Sequence, residues 1–275
     1  MPSGDLLADS FGDLFGVLSF GGQNGGGTIF ELIPNADHSQ WTYRTLYSFC
    51  AQTECADGAH PRGQLIIDNA GNLYGGTTSG GAGRGVIFKL SPNGTYTILY
   101  ALCPEGDPCS DGVEPTSLTY AGASAGSTYD GVSPLYGETC CTEPSAGNVF
   151  SLENNGDGTW TYSVIHVFCS VNKCADGKSP WALVSDANGT LFGVTQQGGK
   201  SKRGVLFKLV QNGNRQWDET PLHSFCSTEP CTDGARPVSI KIASDGTLYG
   251  TTASSGPNCH LQRIKHECGS LFSIN

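Results

Sequence analysis

Two hundred and seventy-five residues exceed what one small core needs and suit one large all-β domain or two smaller ones. Thirty-nine glycines, 37 % apolar residues, only 15 % charged residues, 12 Phe and 10 Tyr exclude a charge-rich disordered chain. They exclude a helical one as well, because each interior glycine costs a helix about 1 kcal/mol. Fifteen Lys and Arg against 25 Asp and Glu give a net charge of −10, which argues against a general grip on nucleic acid or an anionic membrane surface.

In chain order, one phrase appears five times: Asp13-Leu14-Phe15-Gly16, Asn72-Leu73-Tyr74-Gly75, Pro134-Leu135-Tyr136-Gly137, Thr190-Leu191-Phe192-Gly193 and Thr247-Leu248-Tyr249-Gly250. Its glycines are 59, 62, 56 and 57 residues apart. A second phrase follows each copy, from Thr28-Ile29-Phe30-Glu31-Leu32 through Val86-Ile87-Phe88-Lys89-Leu90 to Ser270-Leu271-Phe272-Ser273-Ile274. A third, such as Thr45-Leu46-Tyr47-Ser48-Phe49 or Pro221-Leu222-His223-Ser224-Phe225, follows four times. Each phrase is short, rich in β-branched and aromatic residues, and bounded by Asn-Gly or Asp-Gly turns, so each reads as a strand of a hairpin. With the run that precedes the first phrase, every repeat holds four strands, A to D, which describes a propeller blade. The expected fold is all-β, a five-bladed propeller in a single domain 1–275, with repeats at about 2–60, 61–114, 115–179, 180–236 and 237–275. The sequence stops after strand C of repeat 5, so the last blade is expected to lack its outer strand.

Twelve cysteines fall mostly in close pairs: Cys50 with Cys55, Cys103 with Cys109, Cys169 with Cys174, Cys226 with Cys231, and Cys259 with Cys268, while Cys140 adjoins Cys141. The gaps do not fit zinc-ligand spacing, and no His rhythm accompanies them, so disulfides in an oxidising compartment are expected. The five spaced pairs read as local bridges, and Cys140 with Cys141, left without other partners, as a vicinal one. No apolar run approaches the ~18 residues of a membrane span. The start of the chain has no signal-peptide pattern, so a mature secreted chain whose export signal has been removed is expected.

Gly71-Asn72-Leu73-Tyr74-Gly75-Gly76-Thr77-Thr78-Ser79-Gly80-Gly81, followed by Gly85-Val86-Ile87-Phe88-Lys89-Leu90, resembles the bacterial secreted tandem-repeat family called GloVer, the "choice-of-anchor" repeat proteins. The resemblance covers essentially the whole chain. It implies an exported, often surface-attached protein with propeller-like repeats and no settled activity. The C-terminal anchor it also implies is not visible in this sequence.

Strand parity places the A–B and C–D turns on one face and the B–C loops and D–A crossovers on the other. Tight Asn-Gly and Asp-Gly turns occupy the first face and read as structural. Longer, cysteine-bearing loops occupy the second, where binding residues concentrate. Each crossover carries Asp-Gly, at Asp57, Asp111, Asp176 and Asp233. A motif shared by every blade builds the blade, so departures from the repeat are worth more. Repeat 3 has Glu138-Thr139-Cys140-Cys141-Thr142-Glu143, expected on the loop face. Repeats 4 and 5 carry Lys200, Lys202, Arg203, Arg236, His260 and Arg263, suited to an anionic ligand. Trp181 follows Pro180 where other repeats have Ser3, Arg62, Thr116 and Val238, and suits stacking on a sugar ring.

The leading expectation is a secreted propeller that binds a polysaccharide or cell-surface glycan, acidic ones included, through Trp181, Lys200, Lys202, Arg203, Arg236, His260 and Arg263. The alternative is a glycoside hydrolase or polysaccharide lyase, with catalytic candidates Glu114, Glu138, Glu143 and Asp176. A second alternative is a non-catalytic surface or matrix component. No nucleophile elbow, P-loop, HExxH or dinucleotide fingerprint is present, so no cofactor or metal is expected. A monomer without nucleic acid or membrane insertion is expected.

Overall fold

The computed structural model describes residues 4–104, 109–140, 146–228, 231–254 and 269–274. It is all-β. Strands β1 (Leu7–Ala8), β2 (Leu14–Leu18), β3 (Thr28–Pro34) and β4 (Trp41–Ser48) form the first sheet, in chain order. Strands β5 (Ala59–Ile67), β6 (Leu73–Ser79), β7 (Val86–Leu90) and β8 (Tyr96–Ala101) form the second. Strands β9 (Val113–Tyr120), β10 (Leu135–Cys140), β11 (Asn148–Asn154) and β12 (Trp160–Val167) form the third. Strands β13 (Lys178–Ser185), β14 (Leu191–Gln197), β15 (Val205–Gln211) and β16 (Trp217–Ser224) form the fourth. The fifth holds β17 (Ala235–Ile242), β18 (Leu248–Ser254) and β19 (Leu271–Ile274), three strands among the described residues. Five meandering antiparallel sheets, one per repeat, are the blades of a five-bladed β-propeller. The chain divides into two compact units: Met1–Leu118, Thr128–Ser133 and Leu152–Tyr162 make the first, and Thr119–Ser127, Pro134–Ser151 and Ser163–Asn275 the second.

The recurring phrases have a steric origin. The glycine of strand B lies opposite the Phe of strand C: Gly16 pairs with Phe30, Gly75 with Phe88, Gly193 with Phe207 and Gly250 with Phe272. A Cβ on Gly16 or Gly75 would sit 2.7 Å from the facing ring, so only glycine lets the Phe fold down over its own sheet. Phe88 and Phe207 are fully buried there.

Apolar side chains alternate along each strand and fill the space between successive blades. In the first unit, Phe15, Val17, Ile29 and Phe49 of blade 1 pack against Leu65, Leu73, Phe88 and Leu90 of blade 2. In the second, Val194, Leu206 and Phe225 of blade 4 pack against Ile240 and Leu248 of blade 5. The inner strands approach closely where residues are small: a Cβ on Gly63 would overlap the Thr116 carbonyl oxygen.

Candidate functional site

The loop face is assembled by a hydrogen-bonding scheme that repeats in each unit. At crossover 1, Cys50 N–H donates to Gly58 O at 3.1 Å and Gly81 N–H, from the next blade's B–C loop, donates to Cys55 O at 3.0 Å. His60 N–H donates back to Gly26 O in the preceding B–C loop at 2.7 Å. Crossover 3 repeats this, with Cys169 N–H to Gly177 O at 3.1 Å, Gly199 N–H to Cys174 O at 2.8 Å and Ser179 N–H to Ala146 O at 2.7 Å. Crossovers and B–C loops thus share one face, as strand parity requires.

Disulfides close these crossovers. Cys50–Cys55, Cys103–Cys109, Cys169–Cys174 and Cys226–Cys231 are bonded. Cys140 is also disulfide-bonded. Its expected partner Cys141 lies outside the described residues. The fifth expected local bridge, between Cys259 and Cys268, lies outside them as well, since neither Cys259 nor Cys268 is described.

The crossover aspartates are built into the frame. Asp57 is fully buried and accepts from Tyr47 Oη at 2.8 Å, Ala51 N–H at 3.0 Å and Gln52 N–H at 3.1 Å. Asp111 accepts from Tyr100 Oη at 2.7 Å, and Asp233 lies 2.9 Å from His223 Nε2. Asp176, a catalytic candidate, is 1 % exposed and accepts from Ser170 N–H at 3.0 Å and Ser170 Oγ at 2.9 Å. Glu138 was expected on the loop face. Strand β10 instead continues to Cys140, which carries Glu138 into the blade at 1 % exposure. Glu143 lies outside the described residues. Glu114 heads β9, half-buried, at φ 53°.

The structure brings most of the basic candidates together. Lys200, Lys202 and Arg203 stand exposed on the loop between β14 and β15, and Arg236 stands exposed at the head of β17. Arg236 N–H donates to Arg203 O at 2.7 Å, which fixes the two residues side by side. Lys200 N–H donates to Ser224 Oγ at 3.0 Å, and Lys202 N–H to Gly199 O at 3.2 Å. Lys202 and Arg236 both hold positive φ, 58° and 56°. Trp181 is half-buried at a β-bulge between Pro180 and Ala182 in β13, a device that re-aims a side chain. Pro180 pairs with Thr195 in the same blade, and a Cβ on Gly204, next to Arg203, would overlap the Thr195 carbonyl oxygen. His260 and Arg263 lie outside the described residues.

Sequence reasoning missed two features. The A–B connection of blade 3 is long. In the first unit its Tyr129 carbonyl accepts from Asn69 N–H at 3.1 Å, and in the second its Gly122 N–H donates to Asp186 O at 3.0 Å. The extra residues between the second and third glycines were the available signal. The other is Glu219 on β16, half-buried near Asp176. Burial first, and then the Asp176 charge, push its carboxyl up to about 7.

The profile of the Gloeobacter/Verrucomicrobia repeat matches residues 1–140, and the chain belongs to that family. No protein of curated function matches the sequence. Among solved structures, the fold is similar to a Thermus thermophilus protein provisionally assigned as an oxidoreductase (glucose dehydrogenase), with TM-score 0.52 and 14 % identity over 94 % of this chain and 79 % of that one. It is also similar to PorZ, a surface component of the type-IX secretion system of Porphyromonas gingivalis, with TM-score 0.53 and 12 % identity over 98 % of this chain and 36 % of that one. The Dos1 propeller gives TM-score 0.51 and 10 % identity over 91 % of this chain and 52 % of that one. At these identities the likeness is one of fold, and propellers host many functions.

Proposed function

We propose that the chain is an exported, non-catalytic propeller that binds carbohydrate on its loop face, with acidic glycans recognised at the edge formed by blades 4 and 5. The observation that carries this reading is the exposed quartet Lys200, Lys202, Arg203 and Arg236, held on a hydrogen-bonded frame in a chain of net charge −10. Guanidinium forks match carboxylate and sulfate groups, and clustering them in an acidic protein selects for a local anionic partner. Trp181 heads the same blade and supplies an apolar surface for a sugar ring. Binding is favoured over hydrolysis because Glu138 and Asp176 are sequestered at 1 % exposure, where substrate does not reach. Four disulfides among the described residues fit an oxidising, extracellular setting. Among the described residues no helix is long and apolar enough to cross a membrane.

The test is a glycan array read beside reducing-sugar and unsaturated-uronate assays. Retention of uronic or sulfated glycans without release of product supports the reading. Turnover of any retained glycan replaces it with the enzyme reading, and an array without signal leaves the repeats as a structural body.

A further inference from the structure

Resting on the carbohydrate reading above, we infer a second sugar subsite on blades 1 and 2, in which Phe20, packed against His60, is the platform for a pyranose ring and Arg62, next to Pro61, is a polar contact. Phe20 breaks the repeat. It occupies the position just before the Gly-Gly pair of the B–C loop, where blade 2 has Ser79 and blade 4 has Gln197. A large apolar side chain replaces a small or polar one at a loop site that needs no core residue. Phe20 is 57 % exposed rather than folded inward.

The ring is nonetheless held in place. His60 lies against it with ring centroids 4.7 Å apart at 51°. His60 Nδ1–H donates to Ser19 O at 2.9 Å, and Ser19 Oγ donates to Pro61 O at 3.0 Å. These two bonds clasp Ser19-Phe20 to His60-Pro61, and His60 itself is pinned by its N–H bond to Gly26 O. His60 holds φ 58°, and the equivalent Glu114, Ser179 and Arg236 hold 53°, 59° and 56°, so the turn is common to the crossovers while the imidazole at it belongs to this blade alone. A pre-ordered aromatic ring presents its face without the ordering entropy of a free loop, and that face suits the C–H side of a sugar.

A polar residue follows the clasp in the chain. Arg62 follows Pro61 in β5 and is half-buried. An aromatic face with a guanidinium next to its clasp in the chain offers a sugar ring both a stacking surface and a hydrogen-bond donor.

The experiment prints uronic, sulfated and neutral oligosaccharides on one array. It compares the wild type with Phe20→Ala, Phe20→Tyr and the triple variant Lys200→Gln, Lys202→Gln, Arg203→Gln, and follows by titration of the best-retained glycan. The expected result is a loss of about fivefold for Phe20→Ala, unchanged between about 0.05 and 0.5 M salt, and retention by Phe20→Tyr. Full affinity of Phe20→Ala alongside loss in the triple variant overturns the subsite and leaves the carbohydrate reading intact. No retention by the wild type overturns both.

Discussion

Tyr162 donates its hydroxyl to the main-chain carbonyl of Asp111 at 2.6 Å, across the crossover that leads into its own blade. Its ring stacks on Tyr100 at 4.4 Å and 8°, and Tyr100 donates to the Asp111 carboxylate at 2.7 Å. The first crossover has the same rung: Tyr47 and Tyr96 stack at 4.2 Å and 10°, and Tyr96 donates to Asp57 O at 2.6 Å. At the third crossover His166 and Glu219 replace both tyrosines. His166 Nε2 lies 3.9 Å from Asp176 Oδ2, and His166 Nε2, Asp176 Oδ1 and Glu219 Oε1 are buried without a hydrogen-bond partner among the described residues. A tyrosine donates at any ordinary pH, but Glu219 donates only when protonated.

Stability should therefore depend on pH through this rung. Burial and Asp176 raise the Glu219 carboxyl to about 7 in the folded chain, so the folded state holds a proton that the unfolded chain releases near the ordinary value of 4.5. That contribution is complete below about 4.5 and is lost as pH rises through about 7. His166 acts in the opposite sense. Burial lowers its pKa, with Asp176 opposing, so its contribution is present above the ordinary histidine range and is lost as pH falls. Urea midpoints measured from about pH 5 to 8.5 should decline on the alkaline side in the wild type and stay flat there in Glu219→Gln and Glu219→Tyr, with Glu219→Tyr the more stable of the two because it restores the donor. An unchanged alkaline slope in Glu219→Gln would show that the carboxyl titrates elsewhere.

The Gly–Phe pairing makes a contrast between two glycines. In Gly75→Ala the new methyl would meet Phe88 Cζ at 2.7 Å and Leu65 Cδ2 at 2.9 Å, inside the blade 1–blade 2 core. Overpacking of this kind costs about 1–3 kcal/mol. Gly94 holds φ 86° in a C–D turn with open space around it, so Gly94→Ala meets only backbone strain, about 1 kcal/mol. Phe88→Leu should recover part of the Gly75→Ala loss and none of the Gly94→Ala loss, a double-mutant comparison that chemical denaturation can resolve.

Each crossover disulfide closes a loop whose cysteines are five or six residues apart, so in the chain-entropy view each contributes about 2–3 kcal/mol. Replacing Cys169 and Cys174 together with Ser should lower stability by about that amount while leaving the Asp176 turn formed, because Ser170 still bonds the carboxylate. Intact mass after alkylation of the native and the reduced protein counts the bridges, and peptide mapping locates them, including the expected pairs Cys140 with Cys141 and Cys259 with Cys268. Bridges between distant repeats would contradict local pairing.

The blades were legible because their determinants are local and recur: Leu73-Tyr74-Gly75 opposite Phe88, Leu191-Phe192-Gly193 opposite Phe207. The crossover disulfides were legible for the same reason, since bonded partners are close in sequence. Glu219 was not, because its meaning lies 43 residues away at Asp176, and only register shows that it stands where Tyr96 and Tyr162 stand. Glu138 was misplaced because the repeat aligns it with a strand position while its neighbours Cys140 and Cys141 suggest a loop. The Arg203–Arg236 adjacency was half legible: both stood out as basic candidates in an acidic chain, but only the backbone bond between them brings them together.

That site separates binding from folding. Lys200, Lys202 and Arg203 are exposed and bonded through their backbones, so neutralising them together should leave the melting temperature nearly unchanged. Affinity for an acidic glycan should fall, and the gap between wild type and variant should narrow as salt rises, because exposed charges are screened over about 10 Å at 0.1 M and about 3 Å at 1 M. Asp57→Asn should do the reverse. Asp57 is buried and receives Tyr47 and two backbone N–H groups, so converting one carboxylate oxygen to a donor sets like against like. A loss of about 2–3 kcal/mol in stability with little change in affinity is expected. Calorimetric melting and titration of the same three proteins at two salt concentrations decide the matter. If Asp57→Asn abolishes binding while the neutralised loop retains it, the crossovers and not the basic edge hold the ligand.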